Sequence, residues 1–285
     1  MPLPDIYMPK TPVEFAQTAQ ELCVLPDIYL KLTEMLANDQ CSIDDIAKVV
    51  ELEPAIAASL LKIANSAMFN FPKQIDSINK ALILLGLSQV KQLVDAYGVT
   101  AAFSGLNPDI ADMDKFWEIS VECALICQFL ARRKKIANTE TIFLSGLFHN
   151  LGLLAIVHDA PEVVKFCEQY TASETPWYRQ QEKLGFTFAD CSAALLKLWQ
   201  LPSSIVMPIK NFNQAFQAEL DAPSNLLYVA SRLAVFNSHP GLYSKKTIVG
   251  QHILDSLGLT EEDVDAAIEH CNEQAMELLA AFPIY

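Results

Sequence analysis

The chain is predicted to be all-α, a multi-helix bundle-like fold, and three observations predict it. Helix-start signals recur along the whole length, the apolar residues between them fall at three- and four-residue steps, and strand-like alternation is scarce. Roughly a dozen helices joined by short turns are expected.

Each part of the chain supports this in turn. Residues 1–15 lack a basic region followed by an apolar core, so no signal peptide is expected and the location expected is cytoplasmic. Ser42 with Asp45 and Thr260 with Asp263 fit the capping box, in which a hydroxyl and an acid three residues on satisfy the first free amides of a helix. Pro54 and Pro176 stand where a helix accepts proline, at its first position. Ile56, Leu60, Ile63 and Ala64 form one apolar stripe, and Leu144, Leu147, Phe148 and Leu151 form another. The longest apolar stretch, Thr141 to Val157, falls short of the ~20 residues a membrane span needs and is read as a buried helix. The turn-forming cluster Ser104-Gly105-Leu106-Asn107-Pro108 divides the chain into an N-terminal helical subdomain, 1–106, and a second one, 107–285. With no tandem repeat, the two are expected to be different structures packed together.

Composition narrows the function. A chain of 285 residues that is 52% hydrophobic can bury a sizeable core. Its formal net charge of −14 repels phosphate backbones and anionic lipid, which argues against nucleic acid and membrane as partners. The basic run Arg132-Arg133-Lys134-Lys135 is read as closing a helix C-terminus, where cations complement exposed carbonyls. Cysteines 23, 41, 123, 127, 167, 191 and 271 are odd in number and lack a Cys-x-x-Cys spacing, so they read as reduced, mostly buried thiols. Cys123 and Cys127 share a helix face, but a metal site there needs two further ligands that the sequence does not supply nearby.

Several separated motifs carry a family resemblance. The first half contains Leu25-Pro26-Asp27-Ile28, Glu53-Pro54-Ala55-Ile56, Ala64-Asn65-Ser66-Ala67 and Ala81-Leu82-Ile83-Leu84-Leu85-Gly86. The second adds Phe116-Trp117-x-x-Ser120, Gly146-Leu147-Phe148-His149-Asn150-Leu151-Gly152, Glu182-x-x-Gly185 and Leu198-Trp199-Gln200-Leu201-Pro202. In this order and spacing, over roughly residues 15 to 240, the chain resembles the HDOD family. The resemblance implies an N-terminal helical half packed on an HD-like helical half, with the tail beyond about residue 240 as accessory helical packing. It also implies a bacterial signal-transduction or regulatory module that acts through signalling proteins.

The same resemblance makes catalysis the decisive question. The HDOD family looks like a derivative of HD-type phosphohydrolases, in which histidines and a His-Asp pair hold divalent metals that activate water on a phosphate ester. Here the pair is His149-Asn150, and asparagine offers a neutral amide oxygen where a carboxylate would chelate. Where many relatives carry further histidines, this chain has Phe188 and Asn211-Phe212. The expectation is therefore no catalytic residue, no bound metal and no cofactor. His158, His239, His252 and His270 fall outside the motifs and read as surface or satisfied core histidines.

Asn65, Ser66, Trp117, His149, Asn150 and Glu182 are the residues expected to line a ligand or partner crevice between the halves. Plainer roles stand beside that one: Asn65 and Ser66 as helix-end caps, Trp117 and Trp199 as core anchors, and His149 as a buried hydrogen-bonding group. Asp109 to Phe116 and Glu261 to Asp265 read as solvated helix faces rather than partner surfaces. Two alternatives remain open. One is a receptor for a small nucleotide such as a cyclic dinucleotide, and the other a residual metal-dependent phosphohydrolase that uses His149.

Overall fold

A computed structural model describes residues 10–66, 69, 71–72, 74–103, 111–214 and 222–281. The N-terminal part comprises α1 (Pro12–Leu22), α2 (Asp27–Leu36), α3 (Ile43–Glu51), α4 (Pro54–Ala64) and α5 (Ile78–Ala102). There follow α6 (Met113–Arg133), α7 (Thr139–Phe148), α8 (Gly152–Val157), α9 (Pro161–Cys167), α10 (Pro176–Leu184), α11 (Phe188–Leu198) and α12 (Ser203–Asn211). A single 3-10 turn, Phe212–Gln214, and then α13 (Ala222–Ser238), α14 (Lys245–Ile248), α15 (Gln251–Ser256) and α16 (Glu261–Leu279) complete the order. No strand occurs among the described residues. The helices outnumber the expected dozen because α8, α14 and α15 are short segments whose few residues show little periodicity. The boundary cluster at residues 104–108, Ala67 of the Asn-Ser motif and the first residues of the chain lie outside the described residues.

The local signals act as expected. Capping boxes form at Ser42 with Asp45 and at Thr260 with Asp263, and Pro54 and Pro176 open α4 and α10. Thr11 with Glu14 and Thr187 with Asp190 form two further boxes. The basic run closes α6: Arg133 Nε bonds Asp263 Oδ1 at 2.8 Å, and Lys134 Nζ donates to the Gly258 carbonyl at 2.8 Å. The acidic stretch of α16 is engaged in the same way, since Glu261 pairs with Lys246 and Asp265 with Lys245. Gly86 breaks α5 with φ of +76°, a conformation that side chains with a Cβ resist.

One continuous apolar core runs through both parts of the chain, from Phe15 to Ala281. In the N-terminal part, α2, α3 and α4 pack on α5, and α5 packs on α7. Although it comes first in sequence, α1 packs on α8 and α11. The tail, expected to be accessory, is a strap across the fold: α16 packs on α6 and reaches α4, where Lys62 Nζ donates to the Ala280 carbonyl at 2.8 Å. The stretch expected to be one buried helix is instead two, α7 and α8, broken by a turn at His149 to Leu151. Thr139–Val157 is long and apolar enough to cross a membrane by length and composition, yet 83% of its apolar window is buried in the core. Six of the seven cysteines are buried thiols, and Cys41 is half-buried.

A polar seam fixes α13 and α16 against α6. Glu122, only 4% exposed, accepts from Asn237 Nδ2 at 2.8 Å and from Ser238 Oγ at 2.9 Å, and Asn237 Nδ2 also reaches Asn272 Oδ1 at 2.8 Å. Burial pushes the Glu122 carboxyl up from 4.5 to about 7, against the pull of the Ser238 and Asn237 hydrogen bonds. The folded chain thus holds a proton that the unfolded chain releases. Its contribution to stability is complete below 4.5 and is lost as pH rises through 7. The loss is on the order of 3 kcal/mol. Glu122→Gln is expected to flatten thermal stability between about pH 5 and about pH 8, with a higher Tm than wild type at the upper end. Parallel Tm profiles for the two proteins would contradict this account of the buried carboxyl.

Candidate functional site

The turn that carries His149 and Asn150 is held by backbone and hydroxyl groups. Ser192, buried on α11, accepts from the Gly152 amide at 2.7 Å, and its hydroxyl faces the carbonyls of His149 at 2.9 Å and Phe188 at 3.1 Å. A free amide or carbonyl buried at this turn would cost about 1–3 kcal/mol, so Ser192 sets its geometry. Two glycines let the helices close around the turn. A Cβ on Gly146 would lie 2.6 Å from the Ala124 Cα, and one on Gly152 would lie 1.8 Å from the Phe188 carbonyl oxygen.

His149 is 4% exposed, and its Nδ1 lies 2.7 Å from the Gly146 carbonyl oxygen. That partner can only accept, so Nδ1 carries the proton and Nε2 the lone pair. Burial, with a smaller contribution from the nearby charge of Arg232, drives the imidazole down to about 4 against the opposing effect of the Gly146 hydrogen bond. It is neutral at pH 7. The Phe212 ring meets it edge-on, with centroids 6.0 Å apart. Phe212 lies in the segment Asn211-Phe212, where the family resemblance leads one to look for histidine, and it presents an apolar ring to His149.

Arg232 is the residue that sequence reasoning missed. It sits on α13, 7% exposed, with its guanidinium carbon 4.1 Å from the centroid of the Trp177 ring and 3.3 Å from that of Tyr228. Its Nη1 donates to the Tyr228 carbonyl at 3.2 Å and to Ser231 Oγ at 3.3 Å. Among the described residues no carboxylate pairs with it, and burial lowers its pKa to about 10. Burying an ion costs several kcal/mol, of which each aromatic face returns about 2 when desolvated. The only sequence signal was a lone cation in the apolar run Leu226 to Phe236.

The remaining expected site residues take other places. Asn65 ends α4, where its amide donates to the carbonyls of Leu61 and Ile75, both at 2.8 Å, and accepts from the Ile75 amide at 2.7 Å. Ser66 bonds the Ile63 carbonyl at 2.7 Å. These are bonds that tie the following loop to the helix end. Trp117 is 1% exposed on α6, with the Phe116 ring edge-on at 4.9 Å. Asn150 is half-buried in the turn, and Glu182 is exposed on α10. No hydrogen bond joins Asn65, Ser66, Trp117 or Glu182 to His149 among the described residues. His158 and His252 are exposed, whereas His239 bonds the Tyr170 hydroxyl at 3.0 Å and His270 lies 3.3 Å from Gln274 Nε2. Among the described residues no three His, Cys, Asp or Glu side chains converge as metal ligands.

Comparison with known proteins places this geometry. A family model described as the HDOD domain matches residues 22–215. A candidate phosphohydrolase of Shewanella amazonensis SB2B has a similar crystal structure, with a TM-score of 0.72 and 25% identity over 94% of this chain and 97% of that one. An HDOD domain protein of unknown function from Geobacter sulfurreducens is similar at a TM-score of 0.71 and 21% identity, covering 94% of this chain and 96% of that one. A candidate signal transduction protein of Marinobacter aquaeolei VT8 follows at 0.66 and 22%, covering 93% of this chain and 59% of that one. The chain spans 39% and 29% of the lengths of two curated relatives that it matches.

Proposed function

Because this chain belongs to the HDOD domain family, we propose that it is a non-catalytic regulatory module acting through protein partners in a bacterial signalling pathway. One observation carries the reading: the HD-like centre is occupied by a neutral, backbone-bonded imidazole beside a buried arginine. A two-metal phosphohydrolase needs several convergent anionic or imidazole ligands to balance the charge of the ions. Here Asn150 contributes no charge, Phe212 contributes no ligand atom, and the charge of Arg232 repels a divalent cation from the Nε2 lone pair of His149. With the chemistry removed, what is kept is a rigid helical scaffold. A candidate signal transduction protein shares its fold.

Titration of the purified protein with manganese, iron and magnesium ions tests this. No stoichiometric metal, no metal-dependent rise in Tm and no hydrolysis of a generic phosphodiester are expected, with His149→Ala indistinguishable from wild type in turnover. Stoichiometric metal together with hydrolysis that disappears in a folded His149→Ala protein would overturn the reading.

A further inference from the structure

Between α1, α11 and α12 the surface opens into a groove of about 430 Å³, within the range of binding clefts. Two of its helices present one face each to it: positions 190, 193, 194 and 197 of α11 and positions 203, 206, 207 and 210 of α12 are three, four and seven residues apart. Because α11 packs on both α1 and α12, it forms the floor and they form the walls. The small side chains of Ala193 and Ala194 keep that floor low, so a ridge of larger side chains can descend between the walls. Apolar surface is left in water here, with Val13 of α1 51% exposed and Met207 of α12 42% exposed. Lys197 and Lys210 stand on the rim, each in the last turn of its helix, and neither forms an ion pair among the described residues. Asp190 also lines the groove, but its Oδ2 accepts from the Thr187 amide and hydroxyl, both at 2.8 Å.

We propose that this groove is the docking site for an amphipathic helix of a partner protein, its apolar ridge seated on Ala193 and Ala194 and its flanking carboxylates set against Lys197 and Lys210. The inference rests on the reading of the chain as a module that acts through protein partners, and it names the chemistry of one such partner. Shape favours a helix over a small ligand. A small-ligand site fixes its occupant with a few buried polar groups, whereas the cations here are exposed lysines on the rim of an apolar trough. The unbranched thioether of Met207 can adapt to the ridge it meets. Charge sets the sign. The chain as a whole carries −14, but at physiological salt that field is screened beyond about 8 Å, so the charges in contact decide. A helix flanked by lysines would meet like charge at Lys197 and Lys210, and one flanked by glutamates would meet opposite charge.

The test uses the full chain and two labelled synthetic peptides of about 20 residues, long enough to hold a helix. They share a leucine ridge at three- and four-residue steps, and glutamates flank it in one and lysines in the other. By fluorescence anisotropy the glutamate peptide is expected to bind saturably and the lysine peptide about tenfold more weakly or not at all. Met207→Glu, a change at an exposed position, is expected to weaken the glutamate peptide by about tenfold or more, because it sets an acid in the apolar trough. Lys197→Glu with Lys210→Glu is expected to reverse the preference between the peptides, which a stability effect alone would not do. No saturable binding, equal binding of the two peptides, or binding untouched by these variants overturns the inference. Sedimentation of the protein alone and titration with decanoate cover the other occupants. Self-association that Met207→Glu abolishes would give the groove to a second copy, and decanoate binding without peptide binding would give it to a small amphiphile; either overturns the inference. All of these outcomes leave the non-catalytic reading standing, since that reading fails only on metal-dependent hydrolysis.

Discussion

Gly152→Ala is expected to lower the stability of the protein by about 3 kcal/mol or more, at the upper end of what overpacking costs. The added methyl carbon would lie 1.8 Å from the carbonyl oxygen of Phe188 and 2.8 Å from the Cys191 Cβ. The nearer atom belongs to the backbone, so it cannot step aside by changing rotamer. Relief requires α8 and α11 to separate. The Gly152 amide is also the donor to Ser192 Oγ, so separation breaks the hydrogen bond that holds the His149 turn. Because α11 also packs on α1 and α12, the displacement spreads through the core. Urea denaturation measures the loss. Truncation of the neighbouring side chain in Gly152→Ala/Cys191→Ala should not restore stability, because the main clash is with main chain. A single variant within about 0.5 kcal/mol of wild type would show that α8 and α11 do not approach so closely.

Trp117→Ala is expected to cost about 3–5 kcal/mol, the range for deleting a large aromatic side chain from a close-packed interior. Trp117 is 1% exposed, lies edge-on to Phe116, and belongs to α6, the helix on which α7, α13 and α16 all pack. No small rearrangement of one neighbour can fill the volume it leaves. Trp117→Phe should lose much less, since most of the apolar contact survives. Chemical denaturation of the two variants separates packing from recognition: a loss under about 1 kcal/mol for the alanine variant would return Trp117 to the candidates for ligand stacking.

Much of this architecture was legible in the sequence because the signals that write helices are local. The caps at Ser42 and Thr260, the prolines at 54 and 176 and the apolar stripes at 56–64 and 144–148 depend on residues three or four apart, and each forms as expected. The motif around His149-Asn150 was legible for the same reason, being contiguous. Its break into two helices was not, because the apolar pattern continues across the turn while the bonds that end α7 come from Ser192 on α11. Asn65 and Glu182 read as crevice residues from their motifs alone. The structure gives Asn65 to a helix end and leaves Glu182 exposed.

What the sequence by itself determined is the helical class, the family and that asparagine, not aspartate, follows His149. Only the tertiary structure decided what stands around that histidine. Phe212, from the turn after α12, stands against its ring, and the charge of Arg232 on α13 acts on it, while Trp177 from α10 and Tyr228 from α13 flank that arginine. No periodicity links these positions, because their proximity is set by how helices distant in sequence share one core rather than by any repeat along the chain. The environment of a buried charge is a property of that packing, and so is the chemistry it permits.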